Sequence, residues 1–128
     1  MENLNITKTK YTLEINFDAD KGILEMSGSS YPENAYEFFQ PIYNWLKTYL
    51  SNVNKAIILN IKLDYLNTSS TKCILDVLEI VENYQEKGIE TQINWFYEED
   101  DEDMLETGEE FAEDMALPFN FISYNAEE

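Results

Sequence analysis

From Tyr11 to Phe17 apolar and polar residues alternate, placing Tyr11, Leu13, Ile15 and Phe17 on one face of a half-buried strand. Asp18-Ala-Asp-Lys-Gly22 reads as a turn, and Ile23–Gly28 as the strand returning from it. The period then changes. Ala35, Phe38, Phe39, Ile42, Leu46, Tyr49 and Leu50 recur at helical spacing. Ser30 and Glu33 stand where a capping box would open that helix, with Pro32 in its first turn. Pro41 falls inside the pattern and predicts either a kink or the start of a second segment. Tyr31, Tyr36 and Tyr43 lie off the apolar stripe and are expected at the surface.

The second half repeats a strand–helix alternation. Ala56–Leu66 is a strand with Ile57, Leu59, Ile61, Leu63 and Tyr65 on one face, and Ile58 suggests cover on the other. Ile74, Leu75, Val77, Leu78, Val81 and Tyr84 form a helix face that Lys87 and Gly88 close. Ile89–Tyr97 is another strand, with Ile89, Thr91, Ile93, Trp95 and Tyr97 in register. A helix beginning inside or just after residues 98–103 then runs to Pro118, with Met104, Leu105, Gly108, Phe111, Ala112 and Met115 on its inner side. Phe119–Tyr124 is a last short strand. The order β-β-α-β-α-β-α-β predicts an α/β fold: a mixed sheet of four to five strands with helices packed on it. Residues 1–10 read as a loosely ordered N-terminus, 11–124 as a single domain, and 125–128 as an acidic tail that frays.

Composition narrows the chemistry. The 128 residues are 44% hydrophobic, enough for one domain with a real core. Twenty-six acids face eight lysines, with no Arg and no His, for a net charge of −18. Such a chain repels nucleic acid and anionic lipid, so neither is an expected partner. Lacking His, it has no Ser-His or Cys-His nucleophile pair and no imidazole metal ligand. Its single cysteine, Cys73, lies in an apolar helical pattern and reads as a buried, inert thiol. The N-terminus has no apolar leader region, and no apolar stretch approaches about 18 residues. The expected location is cytoplasmic.

Two stretches carry candidate chemistry. Glu98–Asp103 is six acids in a row. It reads as a solvated helix cap, as a face for a basic partner, or as a hard-cation site, although it lacks the ligand alternation and central Gly of a calcium loop. The second is Thr68-Ser-Ser-Thr71, preceded by Asn67, where a strand runs into a helix. One hydroxyl suffices as a cap, contributing roughly 1 kcal/mol. The sequence supplies four, at the carboxyl end of a strand where α/β folds carry their sites. A phosphate there would face the positive end of the helix dipole. The run therefore reads either as a plain cap or as a phosphate-accepting switch.

Several segments together resemble one known family. Ser29-Ser-Tyr-Pro-Glu-Asn34, Phe39 with Pro41 and Trp45-Leu46, Asp64–Ser70 with Lys72, and Ile93–Met104 look like the SiaC family of bacterial biofilm-regulation phosphoproteins. The likeness spans about Ile23 to Phe121, and it rests on the order and spacing of the motifs. It implies a fold similar to the STAS domain of anti-sigma-factor antagonists, and no enzymatic activity or cofactor. It implies a threonine phosphorylated by a cognate serine/threonine kinase and dephosphorylated by a metal-dependent serine/threonine phosphatase. It implies that the unphosphorylated form binds a diguanylate cyclase and promotes cyclic di-GMP synthesis. The family's threonine falls on Thr68, with Ser69 the second choice. Asn67 and Ser69 would shape the turn, and Lys72, one helical turn on, would soften the added charge. Tyr31, Glu33 and Asn34 are candidates for a partner surface beside it, or for capping and turn structure alone. Two rival readings remain: an acidic decoy for a basic groove, and a cation-binding protein built on residues 98–103.

Overall fold

In the computed structural model, which describes residues 1–125, six strands form one sheet and three helices pack on it. The strands are β1 (Leu4–Ile6), β2 (Glu14–Asp18), β3 (Ile23–Ser30), β4 (Ile57–Leu66), β5 (Thr91–Glu98) and β6 (Phe119–Tyr124). The helices are α1 (Ala35–Asn52), α2 (Thr68–Glu86) and α3 (Glu102–Glu113). Sheet order follows chain order, β1-β2-β3-β4-β5-β6. The first two pairings are antiparallel and the last three parallel, as a hairpin followed by strand–helix–strand units requires.

The sheet has six strands, where the pattern predicted four to five. The extra one comes from residues 1–10, expected to be loose. Leu4–Ile6 pairs with Ile15–Phe17, the Asn3 side chain accepts the Ala19 N–H at 2.8 Å, and the Trp45 indole donates to the Glu2 carbonyl at 2.9 Å. A three-residue strand is too short to show alternation, so the pattern missed it. Of the predicted tail, Asn125 is described and 126–128 lie outside the described residues.

One face of the sheet carries the core. Phe17, Leu24, Leu59 and Ile93 stand in one register row, and Ile15, Met26, Ile61 and Trp95 in the next. All eight are buried, in one cluster with Phe39, Ile42 and Leu46 of α1 and Ile74, Val77, Leu78 and Val81 of α2. The other face is polar. A row of Asn60, Asn94 and Asn120 crosses β4, β5 and β6 through side-chain amide bonds of 2.8 and 3.2 Å. Ile58 is only half-buried there, so the cover it suggested is lacking.

Three local departures have physical causes. Tyr43, expected outside, is buried because α1 and α2 pack side by side and its hydroxyl donates to the Cys73 carbonyl at 3.3 Å. Helix α1 runs through Pro41 without a break. The N–H that Pro41 lacks would have met Glu37, which sits on the solvent side where water can satisfy its carbonyl. Tyr65, expected inward beside Leu63, is exposed. Between Gly28 and Ser29 the β3–β4 register slips, so Leu63 pairs with Gly28 and Tyr65 with Ser29, leaving Asp64 as the extra residue. That bulge breaks the alternation of β4 and turns Tyr65 outward. Gly28 sits at the slip with φ +103°, a conformation other residues resist.

Helix α3 is held against β5 by Trp95. The indole is fully buried, donates to the Met104 carbonyl at 3.0 Å, and meets Phe111 edge-on. Gly108 makes room for it: a Cβ there would lie 2.5 Å from the indole nitrogen. Gly108→Ala is therefore expected to be destabilising. Overpacking costs about 1–3 kcal/mol and outweighs the roughly 1 kcal/mol that Ala gains in a helix. A lowered urea midpoint at unchanged slope would show it.

Burial raises the phenol of Tyr43 far above its ordinary value, reinforced by the contacts with Cys73 and Asp76. Burial also raises Tyr49 and Tyr124. An unfolded tyrosine titrates near 10.0. Above that pH the unfolded chain sheds protons that the native chain keeps, so stability falls as pH rises. Stability measured by urea titration should be flat from about pH 8 to 9.5 and then decline steadily through the alkaline range.

Candidate functional site

The hydroxyl run lies where β4 ends and α2 begins, and Asn67 organises it. Asn67 is the N-cap of α2, in extended backbone, and its side-chain oxygen accepts the Ser70 N–H at 2.8 Å. The amide nitrogen points the other way and donates to the carbonyls of Tyr31 and Pro32 at 2.7 and 3.0 Å. Its backbone N–H meets the Ser30 carbonyl at 3.2 Å. One residue thus caps a helix and tethers the loop between β3 and α1.

The four hydroxyls are not equivalent. Ser70 is buried, and its hydroxyl lies 2.6 Å from that of Ser30, donating toward it. Thr71 donates to the Asn67 carbonyl at 3.0 Å. Ser69, half-buried, accepts the Ala35 N–H at 3.2 Å. Thr68 alone is exposed, and its hydroxyl has no hydrogen-bond partner among the described residues. It opens α2, where the helix amides are unpaired and the dipole is positive. Lys72 is exposed four residues on, on the same side of the helix.

The expected capping box at Ser30 and Glu33 does not form. Strand β3 continues to Ser30, which pairs with Leu66, so the chain is still extended there. Helix α1 starts at Ala35 instead, and Asn34 at its N-cap makes no side-chain cap bond. The first N–H of α1 is met by Ser69 from the neighbouring helix. Glu33 and Asn34 are consequently free of capping duty and exposed on the loop that Asn67 tethers. Tyr31 is exposed too, stacked on Tyr65 at 4.6 Å between ring centroids. All seven sequence-predicted residues, Tyr31, Glu33, Asn34, Asn67, Thr68, Ser69 and Lys72, share this rim of the sheet.

Sequence reasoning missed Tyr65 and Tyr11. Tyr11 meets Tyr31 edge-on at 5.8 Å, and its carbonyl accepts the Tyr31 N–H at 2.9 Å. Both tyrosines had been assigned inward by alternation. The only sequence trace of the bulge that turns Tyr65 is Gly28, which lies in the partner strand.

The acidic run is spread out along the same edge. Glu98 ends β5, Asp101 caps α3 by accepting the Met104 N–H at 3.0 Å, and Glu102 and Asp103 lie in the first turn of that helix. Asp101 and Asp103 border a cleft of about 350 Å³ together with Asp64, Tyr65 and Thr71. Among the described residues, no group of three or more acids or cysteines is arranged to hold a metal ion. No described helix is long and apolar enough to cross a membrane.

The fold and site define a class: an α/β domain that presents one free hydroxyl at a strand–helix junction, on a rim of exposed tyrosines and acids. Known proteins share the fold. The model of the SiaC family regulatory phosphoproteins matches residues 6–124. An uncharacterised protein of Pseudomonas aeruginosa strain UCBPP-PA14 is 38% identical over 119 residues, covering 93% of this chain and 94% of that one. The crystal structure of apo-SiaC from Pseudomonas aeruginosa superposes with a TM-score of 0.88 at 37% identity, covering 95% of this chain and 99% of the other. A chain in the crystal structure of the diguanylate cyclase SiaD with its activator SiaC, from the same species, gives 0.90 at 36% identity, covering 94% and 99%. The chain belongs to the SiaC family of regulatory phosphoproteins.

The double use of Asn67 can be separated experimentally. Asn67→Ala removes the cap and both loop tethers and is expected to destabilise by about 2 kcal/mol. Asn67→Asp keeps the capping oxygen but sets a carboxylate against two carbonyls. Its expected loss is confined to the loop: near-wild-type protection of α2 amides in hydrogen exchange, with faster exchange around Tyr31–Ala35.

Proposed function

We propose that this chain is a phosphorylation-gated binding protein, not an enzyme, whose unphosphorylated form binds and activates a diguanylate cyclase. The observation that carries this reading is the state of Thr68. Of four adjacent hydroxyls, it is the one that a kinase can reach without breaking a hydrogen bond. Transfer of the γ-phosphoryl of ATP to its oxygen releases ADP and adds close to two negative charges. The α2 dipole tolerates that charge at the helix start, and Lys72 offsets part of it. The fold therefore survives modification, while a partner covering the site does not keep its affinity. Burying an unpaired dianion costs several kcal/mol, and each 1.4 kcal/mol or so is tenfold in binding.

A serine/threonine kinase and a metal-dependent serine/threonine phosphatase complete the cycle. The partner surface is the rim formed by Tyr31, Glu33 and Asn34 with Asn67, Ser69 and Lys72. The assembly of the Pseudomonas aeruginosa relative with a cyclase supports the choice of partner.

Incubation with the cognate kinase and ATP, followed by phosphopeptide mapping, should place the phosphate on Thr68. Phosphate found only outside 67–71 would remove the assignment. In binding assays with the cyclase, Thr68→Ala should match the wild type. Thr68→Asp should bind at least about tenfold more weakly. Equal binding by all three would count against gating.

A further inference from the structure

Large apolar or aromatic side chains at the surface are few, and three of them adjoin one another. Tyr11 is 58% exposed, Tyr31 46% and Tyr65 43%. They form a row, Tyr11 edge-on to Tyr31 and Tyr31 stacked on Tyr65. The row is braced by backbone as well: the Tyr31 N–H binds the Tyr11 carbonyl, and the Tyr31 carbonyl is held by Asn67, next to Thr68. Side chains already fixed by their neighbours lose little freedom when a partner covers them. Tyrosine is also among the residues that most often dominate binding energy.

Charge is unequal along the row. At the Tyr65 end lies the cleft bordered by Asp64, Asp101 and Asp103. At the other end the Lys10 ammonium stands 5.8 Å from the Tyr11 ring centre. We infer that the Tyr11–Tyr31–Tyr65 row is the anchor of the partner interface, and that it fits a protein surface with an apolar groove for the rings and a basic rim facing the Tyr65 end. The inference rests on the reading of Thr68 as a gate and adds to it. Asn67, which holds the Tyr31 carbonyl, adjoins Thr68 in the chain, so a phosphate there would be added next to the anchor. The charge asymmetry also fixes which way round the partner docks.

Binding of the unphosphorylated protein to the cyclase tests this by calorimetry. Tyr11→Ala and Tyr65→Ala should each weaken binding about tenfold or more, and Tyr65→Phe by no more than about twofold. Wild-type binding should weaken with added salt. Thermal melting of each variant shows that the fold is retained. If both alanine variants bind like the wild type while Thr68→Asp does not bind, the row is not the anchor and the gate stands. If the wild type fails to bind the cyclase at all, the gate reading falls, and this inference with it. A wild type that sediments as a dimer, made monomeric by Tyr65→Ala, would assign the row to a second copy of the chain and overturn the inference.

Discussion

Asn67 stands at the one point where a strand, a helix and a loop from elsewhere in the chain must be joined. Its side-chain oxygen satisfies an amide at the start of α2, and its nitrogen satisfies two carbonyls of the loop between β3 and α1. A serine in its place has a single hydroxyl for both duties. An aspartate has no donor for the second. The requirement for an acceptor and two donors at fixed separation is what makes an amide the suitable residue. From this joint follow the fixed path of residues 31–34, the late start of α1 and the capping of α1 by a residue of α2.

The same joint explains why Thr68 is free. The residues beside it are occupied, Asn67 with the loop, Ser69 with α1, Ser70 with β3 and Thr71 with the Asn67 carbonyl. A hydroxyl run that looks redundant in one dimension is divided by the helix twist among different neighbours. Three hydroxyls point toward structure and one toward water. The structural bonds of the turn are thereby confined to the other side chains, so a charge added at Thr68 would leave them in place.

Much of this was legible in the sequence, and what was not has definite causes. Long periodic segments were read correctly: the α2 face through Ile74, Val77, Leu78, Val81 and Tyr84, and the strand through Ile57, Leu59, Ile61 and Leu63. The site residues lie on one rim because the β4–α2 junction was placed rightly, and the loop carrying Tyr31, Glu33 and Asn34 is tethered to it by Asn67 even though α1 starts later than predicted. The failures share a type. Strand β1 was too short to have a period, the bulge at Asp64 shifted one, and the capping box at Ser30 competed with strand pairing and lost. Each was settled by a partner distant in sequence, which no local pattern encodes. Tyr43 failed for a related reason, since its burial depends on where a second helix lies.

Strand order that equals chain order has a consequence for how the molecule is assembled. Every sheet pairing joins strands that follow one another in the chain. Each of the three parallel pairings still has to close over the helix between its strands, which makes it non-local and slow to form. The sheet can grow at one edge as the polypeptide leaves the ribosome, each new strand docking on the last. Tyr11, Tyr31, Tyr65 and Thr68 are all synthesised before β5 begins. The tyrosine rim is thus complete once β4 and the start of α2 have formed, and the acidic segment 98–103 is laid down beside it afterwards.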